Sequence, residues 1–314
     1  MNNKENVARP DWIVPELGFE HETEALRAAI ANWIERVEPE MHDALDHQFL
    51  AGSKYFRPLT AFSCYRAIGG GMIDDRTMRG AMALELFHNM TLVIDDILDR
   101  SETRRGKPTM HVQFDQLTAL MASGFMVAET YKILRYDPQM VGLISELMSR
   151  LGCAEIKQWR ERKTPLGVED WRRLAEEDTG SMFEVAACIG DPTERLRAFG
   201  GYLGTLYHAC DDVSDVRGTD DLGEDGGDED IRDGILTLPA SIAVRDPKVA
   251  RMFQDPNPSN YADLAAAFRE ALPEAEEELD RIAEQAEHEA VMNSEDPTPL
   301  LALVAKTRAL GRAD

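Results

Sequence analysis

Leu84–Phe114 reads LELFHNMTLVIDDILDRSETRRGKPTMHVQF, and this stretch decides how the rest of the chain is read. Leu84, Leu86, Phe87, Met90, Leu92, Val93, Ile94, Ile97 and Leu98 make an almost unbroken apolar run, which predicts a buried helix. Three carboxylates stand where that helix should end. Asp95 and Asp99 are four apart and Asp96 and Asp99 three apart, so on a helix they share a face and repel unless a cation sits among them. A hard divalent cation suits them, and Mg²⁺ above all, because it is commonly held by one or two carboxylates plus substrate phosphates. Just downstream, Arg104, Arg105 and Lys107 flank Gly106, a basic loop able to grip such phosphates.

The pattern recurs. Gly204–Asp215 reads GTLYHACDDVSD, a second apolar run into acids, with Asp211, Asp212 and Asp215 spaced like the first set. A single acidic cluster is equally well a solvated helix end, whereas two of them, each behind an apolar helix, predict a metal clamp.

Composition narrows the field. The 314 residues suffice for a large core, and 58 acids against 34 bases give a formal charge of −24. That charge argues against nucleic acid or an anionic membrane as a surface partner. Cys64, Cys153, Cys188 and Cys210 are scattered without metal-ligand spacing and read as reduced core residues of a cytoplasmic protein. No run reaches the length of a membrane span, and the N-terminus lacks the apolar core of a signal peptide.

Along the chain, residues 1–20 read as a flexible arm and 21–314 as one all-α domain. Helical spacing over 22–49 predicts one helix kinked at Pro39, followed by the loop AGSKYFRP with the cations Lys54 and Arg57. Further helices are expected over 59–68, 76–99, 117–134, 140–159, 169–189, 193–215 and 236–245, with long helices in the tail and a last one over 300–310. No strand pattern of useful length is present. Residues 217–234, RGTDDLGEDGGDEDIRDG, read as a mobile loop beside the second acid cluster, either a lid or a solvated acidic loop.

With these motifs in place, the chain resembles the trans-isoprenyl diphosphate synthases, the polyprenyl synthetase family. The likeness runs from about Gly52 to Ala243. GSKYFRP resembles the family's early turn, ELFHNMTLVIDDILDRSETRRGKPTMH its first aspartate-rich motif, TLYHACDDVSD its second, and DIRDGILTLPASIA the segment after it. The resemblance implies an isoprenoid synthase-type antiparallel helical bundle with a central cavity, usually a homodimer, acting on isopentenyl diphosphate and an allylic diphosphate. It implies that Asp95, Asp99 and Asp211 ligate Mg²⁺, joined by Asp215 and supported by Asp96 and Asp212. Arg104 would contact the allylic diphosphate. Lys54, Arg57, His88 and Arg105 would hold the diphosphate of isopentenyl diphosphate. Thr179 and His208 occupy two further substrate positions.

The departures from the family pattern are local. Asp178-Thr179 stands where Lys-Thr is usual, Gly223-Glu224 where a lysine follows glycine, Ile235 where another lysine precedes LTLP, and Tyr207-His208 where an aromatic-Gln pair is usual. The middle helix has Gly124-Phe125 for a Gly-Asp pair. Two cations beside a diphosphate thus become acids, a change of several charge contacts worth roughly 1–3 kcal/mol each. The leading expectation is Mg²⁺-dependent chain elongation; a terpene synthase-like enzyme, a different acceptor and a non-catalytic partner subunit stay open. In the family the product grows along the helix behind the first acids, here past Thr91 and Met90 towards Phe87 and Leu84. No aromatic blocks the first two positions, which favours a product of about twenty carbons, since methionine yields to a growing chain.

Overall fold

The structure, a computed structural model, describes residues 13–49, 53–218 and 227–311. Its helices gather into two compact units, Met1–Gly142 and Leu143–Asp314. In the first lie α1 (Ile13–Leu17), α2 (Glu20–Ile34), α3 (Pro39–Phe49), α4 (Phe56–Ala67) and α5 (Asp75–Leu98). Next come a hairpin of β1 (Thr103–Arg104) and β2 (Lys107–Pro108), then α6 (Met110–Gln113), α7 (Gln116–Leu134) and the start of α8 (Pro138–Glu161). The second holds the rest of α8, then α9 (Val168–Ala175), a π-helical turn (Glu176–Gly180), α10 (Ser181–Gly190) and α11 (Arg197–Arg217). It closes with α12 (Gly227–Asp233), α13 (Leu238–Ala243), α14 (Pro247–Gln254), α15 (Tyr261–Asn293) and α16 (Thr298–Leu310). No helix among the described residues is long and apolar enough to cross a membrane.

The first unit is built around α5, which packs on α7 and α4. The Asp74 side chain starts the helix by accepting the Thr77 N–H at 2.7 Å. Leu84, Leu86 and Phe87 then disappear into the core, with Leu59 and Phe62 of α4. The helix stops at Asp99, because Arg100 turns left-handed at φ 58°. The short hairpin beyond it pairs Arg104 with Lys107 across Arg105-Gly106. Both turn residues have positive φ, 54° and 72°, as a type I′ turn demands, and glycine at the second makes that turn accessible.

In the second unit α11 is the centre, packed on α10, α15 and α16. Two glycines set how near α10 can come. A Cβ on Gly204 would stand 2.8 Å from the Gly180 Cα, and one on Gly200 2.4 Å from the Phe183 carbonyl oxygen. Larger residues there would push the helices apart.

Several expectations need correction. The stretch 22–49 is two helices, not one kinked helix, with Pro39 starting α3, where its missing N–H costs nothing. Residues 13–17, read as part of the arm, form α1, whose Ile13 and Val14 are buried. Residues 227–233, read as loop, are the helix α12, while Gly223 and Glu224 lie outside the described residues. Cys64, Cys188 and Cys210 are buried as expected, but Cys153 is exposed; all four are free thiols.

Candidate active site

In the first unit the end of α5 turns its acids in two directions. Asp95 and Asp99, one helical turn apart, are half-buried on one side. Asp96, about 100° round the helix, is buried and accepts from Arg104 Nε at 2.8 Å. The second unit repeats the division. Asp211 and Asp215 are half-buried, whereas Asp212 is buried and accepts from Trp171 Nε1 at 2.8 Å and from the Leu238 N–H at 2.7 Å. Burial raises the Asp212 carboxyl, and Asp178 adds to this; His208 and the two N–H donors oppose it. In each motif, then, the middle aspartate is tied to the protein. The outer pair is the more exposed one.

These outer pairs suit a hard divalent cation. Their donors are all oxygen, and they sit at helix C-termini, where the backbone dipole is already negative and α5 carries no basic residue in its last turn. Among the described residues no three His, Cys, Asp or Glu side chains form a group able to hold a metal by themselves.

Beside the first acids lies a concentration of positive charge. Arg57 of α4 donates to His88 Nε2 at 3.0 Å. Because a guanidinium only donates, a neutral His88 carries its proton on Nδ1, which is buried and makes no hydrogen bond among the described residues. Burial and then the charges of Arg57, Arg105 and Arg104 hold the imidazole well below the usual histidine range. The charges of Arg104 and Arg105 on the hairpin thus act on the residue that α4 reaches with Arg57. Lys54 is half-buried just before α4, next to Tyr55, which enters the helix at φ 57°. Glu85, one turn before His88, is 2% exposed and is a residue that sequence reasoning missed. Burial raises its carboxyl, against lowering by Ser53, Arg57, Arg105 and Asn89. Asn89 is in turn held by Gln48 at 3.2 Å. An acid inside an apolar run is the signal that marks Glu85.

Depressed protonation of His88 has a consequence for stability. The unfolded chain binds a proton at this residue near pH 6.5 and the folded chain only at lower pH, so folding is favoured above that range and loses ground as pH falls below it. His88→Gln should therefore flatten the fall in Tm between pH 7 and pH 5. Parallel Tm profiles for the two proteins would contradict this.

In the second unit Thr179 and His208 meet. The Thr179 hydroxyl is 2.9 Å from His208 Nδ1 and 3.2 Å from Asp178 Oδ2, and His208 Nε2 lies 3.8 Å from Asp212 Oδ1. The π-helical turn presents Asp178 and Thr179; such turns commonly mark functional positions. Trp171, another residue that sequence reasoning missed, closes this cluster by its bond to Asp212 and a ring centroid 6.3 Å from His208.

Residues 38–271 match the family description Polyprenyl synthetase. A nonaprenyl diphosphate synthase from Mycobacterium tuberculosis is 30% identical over 87% of this chain and 89% of its own length. Geranylgeranyl pyrophosphate synthase 4 from Arabidopsis thaliana is 28% identical over 72% of this chain and 66% of its own. Among solved structures, heptaprenyl diphosphate synthase from Staphylococcus aureus superposes with a TM-score of 0.83 at 23% identity, covering 92% of this chain and 96% of the other. A polyprenyl synthase from Caulobacter crescentus, solved with calcium and isoprenyl diphosphate, gives 0.82 at 21% identity, covering 97% and 98%. The all-α isoprenoid synthase fold is common to them. These matches show that the chain, with its two acid motifs, belongs to the polyprenyl synthetase family.

Proposed function

We infer that the chain is a prenyltransferase that condenses an allylic diphosphate with isopentenyl diphosphate to give a longer polyprenyl diphosphate. The observation that carries this reading is the gathering of Arg57, Arg104 and Arg105 on a neutral His88, beside the outer acids, in a chain of formal charge −24. Such a concentration of cations calls for a multiply charged anion, and the adjacent carboxylates call for a cation; a diphosphate with a divalent ion answers both.

Asp95 and Asp99 in the first unit, and Asp211 and Asp215 in the second, would hold Mg²⁺. When bound, Mg²⁺ would supply charge neutralisation that makes diphosphate a competent leaving group. Arg104, held in place by Asp96, would share that work on the allylic diphosphate. Arg57, Arg105, Lys54 and the buried Nδ1–H of His88 would fix the diphosphate of isopentenyl diphosphate. Its double bond then attacks the allylic carbon as the C–O bond breaks, and loss of a proton restores the alkene. Incubation of the pure protein with Mg²⁺, isopentenyl diphosphate and each allylic diphosphate in turn tests this. Elongated products are expected; release of inorganic diphosphate without elongation would move the assignment to a terpene synthase-like reaction.

A second reading has one observation behind it. Asp178, in place of the family's lysine, lies 3.6 Å from His208 Nδ1, so this edge of the second cluster is built for a different balance of charge. A changed acceptor or a weaker hold on the allylic diphosphate would result, and the same incubations report it as a raised KM or a different product.

For product length, Phe87 is fully buried and Met90 2% exposed on the helix behind Asp95. Met90→Phe should shorten the product and Phe87→Ala lengthen it from about twenty carbons, because methionine adapts to a growing chain and phenylalanine does not. Unchanged chain length in both variants would place the growing product elsewhere. A homodimer goes with this reading: Leu117, Leu120 and Met121 form an apolar outer face on α7, exposed by 68%, 45% and 53%. A cytoplasmic location goes with the four free thiols.

A further inference from the structure

The first unit has a cavity of about 800 Å³ whose lining includes none of the residues assigned to the reaction above. It is lined by the end of α2, the first turns of α5, the end of α7 and the turn after it. Arg79 precedes Asp95 by sixteen positions on α5, about 24 Å along the axis and roughly 160° round it, so the cavity lies on the opposite side of the helix from the outer acids.

Its lining has two parts. Trp33, Met82, Leu134 and Met140 make an apolar floor. Four arginines surround it: Arg36, Arg76, Arg79 and Arg135. Arg76 is held by Asp137 at 2.7 Å and by Gln139 at 3.1 Å, and Arg135 lies over the ring of Tyr136 at 4.5 Å. Arg36 and Arg79 are exposed and make no side-chain hydrogen bond or ion pair among the described residues. In a chain with 58 acids and only 34 bases, four guanidiniums against a single lining carboxylate, Asp137, run counter to the overall charge. The volume falls in the range of ligand cavities, roughly 300–1,000 Å³.

We propose that this cavity is a binding site for an amphiphilic anion, with an aliphatic tail on the Trp33–Met82–Met140 floor and a phosphate or diphosphate head on the arginines. Apolar area alone would suit any hydrophobe, and arginines alone any anion; their combination selects a molecule that has both. Prenyl diphosphates are such molecules, and their choice as ligand rests on the prenyltransferase reading, whereas the cavity and its charge do not. No metal is required, because guanidiniums meet the head group directly through paired N–H donors.

The test is equilibrium binding of geranylgeranyl diphosphate to the full chain in excess EDTA, which suppresses the metal-dependent site. Metal-independent binding to one site per chain is expected, retained in Asp95→Ala and weakened at least tenfold in the double variant Arg36→Glu/Arg79→Glu. Both arginines are exposed, line a cavity on the side of α5 away from Asp95 and belong to none of the groups assigned to the reaction, so turnover of the double variant at saturating substrate should equal that of the parent. Absence of metal-independent binding, or equal affinity in the double variant, overturns the proposal. So does equal competition by inorganic pyrophosphate, which would mean that the floor is not used. Charge-dependent binding to phosphatidylglycerol vesicles without binding of the soluble diphosphate would reassign the arginines to a membrane surface. If the protein shows no elongation activity yet binds in EDTA as described, the prenyltransferase reading fails and the site stands.

Discussion

Asp95→Ala should lower kcat by about a thousandfold or more while leaving the helical circular dichroism signal unchanged. Asp95 is half-buried near the end of α5, whereas residues that hold the helix earlier in its length, Leu84, Leu86 and Phe87, are fully buried. Its loss removes a proposed ligand from the group that neutralises the leaving diphosphate, and little from the packing. Asp96 provides the contrast. It is 2% exposed and bonded to Arg104, so Asp96→Ala removes a buried acceptor from that guanidinium and should cost stability as well as rate, by about 1–3 kcal/mol. A near-parental kcat in Asp95→Ala would remove the outer pair from the reaction. Urea denaturation of the two variants side by side separates the two functions carried by adjacent positions.

The second large effect is expected at Asp212. Its Oδ2 accepts two buried donors, the Trp171 indole N–H and the Leu238 backbone N–H, which join α9 and α13 to α11. Asp212→Ala leaves both unsatisfied, at roughly 1–3 kcal/mol each, and Tm should fall by several degrees. Asp212→Asn keeps an acceptor oxygen and removes a charge that burial already disfavours, so its Tm should stay near the parental value at pH 7. Because the folded-state carboxyl is raised, the parent is favoured below the ordinary carboxylate range and loses that advantage as pH rises through the raised value. The Asn variant shows no such loss. Equal Tm for the Ala and Asn variants would show that the two N–H groups find other acceptors.

That Asp95 and Asp99, and likewise Asp211 and Asp215, share a helix face is legible from spacing alone, because a four-residue separation means the same thing in any helix. The all-α class is legible for a similar reason. Spacing does not reveal which aspartate turns inward, since that depends on where Arg104 of the hairpin and Trp171 of α9 arrive. Glu85 escapes notice as part of the basic cluster because its cationic neighbours come from α4 and from the hairpin turn, far away in sequence. The hairpin itself is hidden, as strands of two residues contain no alternation to read. Pro39 reads as a kink because proline within helical spacing and proline at the first position of a new helix look alike until the preceding residues are seen to leave the helix.

The π-helical turn at Glu176–Gly180 bears on how this chain can be altered by insertion or deletion. A wider turn accommodates an additional residue between two α-helical stretches, so α9 and α10 keep nearly the relative rotation of a continuous helix while their numbering is offset by one position. Deleting a single residue within the turn would let the three pieces fuse into one regular helix. Fusion would leave the relative rotation of α9 and α10 almost unchanged, whereas straightening the turn with every residue kept would rotate α9 by about 100° and carry Trp171 out of register with Phe183. Phe183 is fully buried in α10, and Trp171 is hydrogen-bonded to Asp212. Both could not be kept in place. A one-residue length difference here between related chains therefore leaves the support of the second acid motif intact only where the wider turn comes and goes with it.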